Sequence, residues 1–247
     1  VIRLPGISIM RAMVCNNFNE PLSLQEVPTP TPGPSEVLIN VAAAGVNFVD
    51  QLIVTGKYQL KPSLPFIPGF EVAGRVAAVG DQVDRIKVGQ QVFATPGLTG
   101  GGYAQATVAD QSNVFPLPAS LSVGQGATFV QSYCTALFSL VNRVQLEAGQ
   151  SLLVLGASGG VGRAAVDIGK ALGAKVIAAA SSADRLANCE ALGADGYINY
   201  SEEDLKARAR ELSGGGVDVV YDPLGGDYSE QGLWALGDNG ALLIIGF

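Results

Sequence analysis

The chain has 247 residues, of which 48% are hydrophobic and only 15% charged, with 32 glycines and a formal net charge of −7. That length and apolar content suit one large core or two modest ones and exclude intrinsic disorder. A sequence pI near 4.6 argues against nucleic-acid binding, because an acidic surface repels phosphate backbones. No run of 18 apolar residues offers a membrane span.

Residues 1–9 lack a signal-peptide pattern and read as an extraneous extension ahead of a natural start at Met10 or Met13. Residues 10–120 are predicted to be β-rich. Val37–Val41 alternates, and Glu71–Val79, rich in valine and alanine, Gln91–Ala94 and Tyr103–Val108 are strand candidates. Turn chemistry at Pro28–Pro34 and Gly100–Gly102 separates them. Strands this short and regular predict a partly open β-barrel.

Residues 121–247 change period. Leu121–Val144 is predicted to be helical and to join the halves. Leu152–Leu155, Lys175–Ala180, Tyr197–Asn199, Val217–Tyr221 and Ala241–Ile245 are strand candidates, alternating with helical segments. Val161, Ala165, Ile168 and Leu172 share a helix face, and Leu186 and Ala187 are expected to face inward on the next helix, capped by Ser182. Gly173 and Gly193 follow helices as C′ residues, and Ser201–Asp204 reads as a capping-box start. Alternating strands and helices predict an α/β, doubly wound, Rossmann-type parallel sheet.

The sharpest motif is Gly156-Ala157-Ser158-Gly159-Gly160-Val161-Gly162, set between a predicted strand and helix. Glycines there permit a tight turn, and the backbone N–H groups of the helix start can approach a pyrophosphate. A dinucleotide is the expected ligand. NAD binders place an acid about 20 residues further on, for the ribose 2′-hydroxyl. Here Ala179-Ala180-Ser181-Ser182 brings none, and Arg185 follows, with Tyr200 placed to close the pocket. Hydroxyls and a guanidinium suit a 2′-phosphate, so NADPH is predicted. The plainer reading, in which Ser182 only caps a helix and Arg185 is solvated, stays open.

Three cysteines, Cys15, Cys134 and Cys189, are odd in number and far apart, which favours a reducing cytoplasmic setting over a disulfide framework. The sequence has no histidine, which removes the commonest metal ligand and general base.

Ala44–Asp50, Thr55–Tyr58, Pro68–Gly74, the glycine loop and Val219–Gly226 come in an order that resembles the zinc-free quinone oxidoreductase branch of the medium-chain dehydrogenase/reductase superfamily. The resemblance covers Met10 onward. It implies a GroES-like N-terminal domain and hydride transfer from NADPH to a quinone or α,β-unsaturated carbonyl, with a homodimer as one assembly open to it. Zinc enzymes of the superfamily carry a cysteine near the Asn47 segment and Gly-His-Glu where this chain has Gly69-Phe70-Glu71, so no zinc is expected.

The resemblance also assigns residues. It puts Asn47 and Tyr58 beside the nicotinamide and acceptor, Thr135 on the phosphates or ribose, and Leu224, Gly246 and Phe247 on the nicotinamide side. Asn47 as a turn cap, Tyr58 as a loop aromatic and Thr135 as a helix-interior residue are equally open readings. Asp50 and Glu71 are expected to make structural hydrogen bonds or ion pairs. Family members continue past the equivalent of Phe247 with a sixth strand, so an uncovered apolar edge is expected at Ala241–Ile245. Enoyl or acryloyl thioester reduction, and non-catalytic NADPH binding, are the alternatives.

Overall fold

The computed structural model describes residues 8–97 and 101–246. The chain divides into two compact units between Gln131 and Ser132, inside the segment predicted to link the halves.

In the first unit, β1 (Ile9–Val14) pairs antiparallel with β2 (Ser23–Pro28). Setting residues 1–9 aside needs correction at its end. Ile9 pairs with Pro28, the Ser8 carbonyl accepts from the Thr29 N–H at 2.8 Å, and Met10 is buried. Backbone pairing extends the sheet beyond the first residue with an evident apolar role. Strands β3 (Glu36–Ala44), β4 (Val72–Val79), β5 (Gln91–Ala94), β6 (Ala106–Asp110) and β7 (Val114–Pro116) form an antiparallel sheet in the order β6-β3-β4-β5-β7.

Its core follows from alternation. Val37 and Ile39 point inward with Val72, Val76, Val92 and Val114, while Asn40 is exposed. Strand β6 begins later than predicted: the Tyr103 carbonyl accepts from the Met13 N–H and the Gln105 N–H donates to the Arg11 carbonyl, although the Gln105 carbonyl still accepts from the Val41 N–H on β3. Helix α1 (Phe48–Val54) follows β3, and the short α2 (Val123–Gly126) closes the unit.

The segment Leu121–Val144 is helical over most of its length, as predicted, but not as one regular α-helix. After α2 come a π-helical turn at Val130–Cys134, a short α3 (Thr135–Leu137) and a second π-helical turn at Phe138–Arg143. Two local competitors break the regular ladder. The Glu71 carboxylate takes the Gln131 N–H, and the Ser139 hydroxyl donates back to the Thr135 carbonyl at 2.7 Å.

The second unit is a parallel sheet, β10-β9-β8-β11-β12, built from β8 (Ser151–Val154), β9 (Lys175–Ala180), β10 (Gly196–Asn199), β11 (Val217–Asp222) and β12 (Leu236–Ile244). Helices α4 (Gly160–Ala171) and α5 (Ala183–Glu190) cover one face, and α6 (Leu205–Ser213) and α7 (Asp227–Ala235) the other. Strand β8 is buried throughout, as a strand covered on both faces must be. The order reverses at β8, which makes its carboxyl end a topological switch point.

Ser182 caps α5 as predicted, accepting from the Arg185 N–H at 3.4 Å. Leu186 and Cys189 face inward, whereas Ala187 is exposed, because the inward face repeats at three or four residues rather than one. Asp204, not Ser201, caps α6 by accepting from the Ala207 N–H at 2.8 Å. The Ser201 hydroxyl instead donates to the Ser181 carbonyl at 3.0 Å. At the edge strand β12, Leu242 and Leu243 are half-buried and Ile244 is exposed. No helix of the described residues is long and apolar enough to cross a membrane.

Candidate active site

The glycine loop lies at the switch point. Gly156 has φ of +56°, the left-handed region that glycine enters freely, and a Cβ there would come within 2.9 Å of the Leu224 side chain. Gly159 is the N-cap of α4 and has no side chain to satisfy the first turn. At Gly162 a Cβ would fall 2.3 Å from the Gly156 carbonyl oxygen, so only glycine lets the helix start lie against the loop. No acid occupies the first turn of α4. The N–H groups of Gly160, Val161 and Gly162 are therefore the orphan donors of a twelve-residue helix, at the positive end of its dipole. Ser158 is half-buried beside them.

The preceding segment packs against α4 at two points. The Tyr133 hydroxyl donates to Asp167 on α4 at 3.0 Å. Ser132 is buried, with its Oγ 3.0 Å from where a Gly160 Cβ would sit. Thr135 follows, half-buried, its carbonyl occupied by Ser139. The resemblance singles out Thr135 in this segment and not Ser132, which lies inside the predicted link and carries no motif of its own.

At the carboxyl ends of β9 and β10, the Tyr200 N–H donates to the Ala180 carbonyl at 3.1 Å, and Ser201 reaches Ser181. These bonds bring Ser181, Ser182 and Tyr200 to one edge. Arg185 is exposed one turn into α5 and forms no ion pair among the described residues. The Tyr200 ring packs against Tyr228, with centroids 4.5 Å apart. At the end of β11, Asp222 is fully buried and accepts from the N–H groups of Leu224 and Gly225 and from the Ser229 hydroxyl. This carboxylate builds the turn that presents Leu224. Gly246 is exposed at φ +79°, and Phe247 lies outside the described residues.

The first unit gathers a second group. Asn47 precedes α1, and the Asp50 carboxylate accepts its backbone N–H at 2.8 Å. The Asn47 side-chain amide donates to Glu71 Oε1 at 2.8 Å, and the Gln131 N–H donates to Glu71 Oε2 at 3.0 Å. Both acids are buried, Glu71 completely, and neither has an ion-pair partner among the described residues. Hydrogen bonds, not ion pairs, account for them.

Desolvation raises the carboxyl pKa of both Glu71 and Asp50, opposed in each by hydrogen bonds that favour the ionised form. Tyr103 faces Asp50; burial first, then that carboxylate, push the phenol well above its ordinary value. The Tyr103 hydroxyl faces the Asp50 carboxylate without a well-formed hydrogen bond.

Tyr58 is half-buried against a cluster of Cys15, Ile53, Phe66 and Phe70, so much of its ring is already engaged. A cavity of about 490 Å³ elsewhere in this unit, lined by Met10, Glu36, Thr107 and Asp110 among others, contains none of the predicted site residues.

A β-rich unit followed by a doubly wound sheet with an open glycine loop defines a dinucleotide-dependent oxidoreductase. The family described as Alcohol dehydrogenase GroES-like domain matches residues 33–119, and that described as Zinc-binding dehydrogenase matches residues 160–247. The Quinone oxidoreductase of Mus musculus is 37% identical over 98% of this chain and 74% of its own length. Quinone oxidoreductase-like protein 2 homolog of Nematostella vectensis is 38% identical over 98% of this chain and 67% of its own. Among solved structures, the quinone oxidoreductase of Thermus thermophilus, crystallised alone and with NADPH, superposes with a TM-score of 0.84 at 34% identity, covering 95% of this chain and 73% of that one. The chain belongs to the medium-chain dehydrogenase/reductase superfamily, in its quinone oxidoreductase branch.

Proposed function

We propose that the chain is an NADPH-dependent, metal-free reductase that delivers hydride to a quinone or an α,β-unsaturated carbonyl. The observation that carries this reading is the exit of β9. Ser181 and Ser182 stand there without a carboxylate, and exposed Arg185 has no ion-pair partner among the described residues. An NAD binder would place an acid at this edge. The relative crystallised with NADPH supports the same choice.

The loop fits a dinucleotide, since Gly156 and Gly162 leave space that a Cβ would fill and the first turn of α4 keeps its donors free. When bound, the reduced nicotinamide supplies the hydride. The chain binds and orients. Gly160, Val161 and Gly162 offer N–H groups to the pyrophosphate, with Ser158 and Gly159 shaping the approach. Ser181, Ser182, Arg185 and Tyr200 receive the 2′-phosphate, the Ser182 hydroxyl still having its proton to donate. Thr135, Leu224 and Gly246 are the candidate contacts to the ribose and nicotinamide, with Tyr58 and Phe247 as further candidates.

Asn47 holds the acceptor carbonyl through its amide, and water or Tyr58 delivers the proton. The metal-free reading rests on the donor set. The sequence has no histidine, and no group of three His, Cys, Asp or Glu among the described residues could hold a metal ion. Three free cysteines accord with a reducing cytoplasmic setting.

Two measurements test the reading. Arg185→Ala should weaken NADPH binding about tenfold or more, the worth of one charge-assisted hydrogen bond, and leave NADH binding unchanged. Equal loss for both, or for neither, removes the 2′-phosphate assignment. NADPH oxidation should proceed with 1,4-benzoquinone or an α,β-unsaturated ketone. Turnover of an enoyl thioester alone moves the substrate class, and tight NADPH binding with no turnover leaves a binding protein.

A further inference from the structure

We infer that Glu71 is a positioning residue that fixes which end of the Asn47 amide is presented to the acceptor, an inference that rests on Asn47 holding the acceptor carbonyl. An asparagine amide is nearly symmetric in shape, and its orientation is set only by the groups it meets. Here it meets Glu71 Oε1 at 2.8 Å. An ionised carboxylate only accepts, so it selects the NH₂ end. The carbonyl oxygen of Asn47 turns toward the Asp50 N–H at the start of α1, and its second N–H remains for the acceptor.

The site is built around this contact. Glu71 is fully buried, and its other oxygen is held by the Gln131 N–H at 3.0 Å. Its own carbonyl accepts from the Gly45 N–H at 3.0 Å. A Cβ at Gly45 would lie 2.4 Å from Glu71 Oε1 and 2.5 Å from the Ala127 carbonyl, so the glycine leaves the room the carboxylate occupies. Asp50 meanwhile accepts the Asn47 backbone N–H. Asn47 is thus pinned at its main chain by one buried acid and at its side chain by another. A buried charge with no cation near it is a poor stabiliser, and both oxygens of Glu71 are spent on orientation.

A double-mutant cycle tests this, using Glu71→Leu, Glu71→Gln, Asn47→Ala and the two doubles in the whole chain. Glu71→Leu should lower kcat/KM for 1,4-benzoquinone about as far as Asn47→Ala does. Glu71→Gln, with one carbonyl for two donors, should fall between, near tenfold. Neither should lower kcat/KM further once Asn47 is alanine. The Kd for NADPH should hold within about twofold throughout, which a general structural lesion would not allow.

Losses that multiply in the doubles overturn the inference. If the leucine variant does not fold, the glutamine variant carries the cycle alone. If the parent turns over no acceptor, the reductase reading fails by itself, and the side-chain amide signal of Asn47 in NMR decides the positioning. Its hydrogen exchange should be protected in the parent and faster in the Glu71 variants, and equal exchange in all of them overturns the inference.

Discussion

The two units hold their candidate residues by different means. Around the glycine loop of the second unit the candidate groups are mostly backbone. The glycine loop offers N–H groups, the dipole of α4 adds field, and the loop's own side chains contribute little. In the first unit the candidate Asn47 is held by side chains and buried charge, with Glu71 and Asp50 reached across different stretches of chain. A backbone site should fail when an atom is added to it. A side-chain site should fail when a partner is removed or crowded.

The largest effect is expected at Gly162. A valine there would drive atoms into the Gly156 carbonyl, already 2.3 Å from the first added carbon. The helix start must move away, and NADPH binding should weaken at least about a hundredfold, or about 3 kcal/mol. Calorimetric titration checks this. Undiminished affinity would mean that α4 does not approach the phosphates. Gly45→Ala makes the matching change in the first unit. It crowds Glu71 and Ala127, at an overpacking cost of about 1–3 kcal/mol, which thermal unfolding should show as a lower Tm. NADPH affinity should be unchanged. If instead affinity falls with stability, the contrast between the units is false.

The same contrast explains what was legible in the sequence. Lys175–Ala180 was bounded at both ends, and Gly156–Gly162 was placed correctly between strand and helix. A glycine run after a buried strand has few physical readings, and a parallel sheet writes itself as alternating segments. Asn47 could be named, but not its bond to Glu71, because hydrogen bonding between positions 24 residues apart leaves no periodic trace. The irregular turns within the helical segment Leu121–Val144 escape for the same reason: they come from Glu71 and Ser139, neither of which alters the apolar pattern. Asp222 looked like part of a motif and proved to be the acceptor that folds its own turn.

A smaller effect sharpens the claim that the second unit relies on backbone held in place. Tyr133→Phe removes the hydroxyl that donates to Asp167. One such hydrogen bond contributes roughly 0.5–1.5 kcal/mol, so stability should drop by about that much. NADPH affinity should fall less than threefold, since α4 keeps its donors. A loss as large as that at Gly162 would make the tether part of the site.

The smallest effect is in pH dependence, because carboxylates of the first unit pull in opposite directions. Burial raises Glu71 and Asp50 above their ordinary values, so the folded chain holds more protons than the unfolded one over that window. Stability from these two is present below their unfolded pKa and is lost as pH rises through the folded one. Asp110 works the other way. Hydrogen bonds from Ser35 and Ser112 lower it to about 2 from 3.8, so its contribution is present above the unfolded value and is lost as pH falls toward 2.

Just above the ordinary carboxylate range, Glu71 and Asp50 take up protons in the folded chain. Acidification from neutrality into that window should therefore raise the Tm of the parent slightly, and Glu71→Gln, which cannot titrate, should flatten the rise. A Tm that falls steadily over the window in both proteins would mean that the hydrogen bonds from Asn47 and Gln131 outweigh burial at Glu71. In that case the buried charge would stabilise its unit as well as orient Asn47.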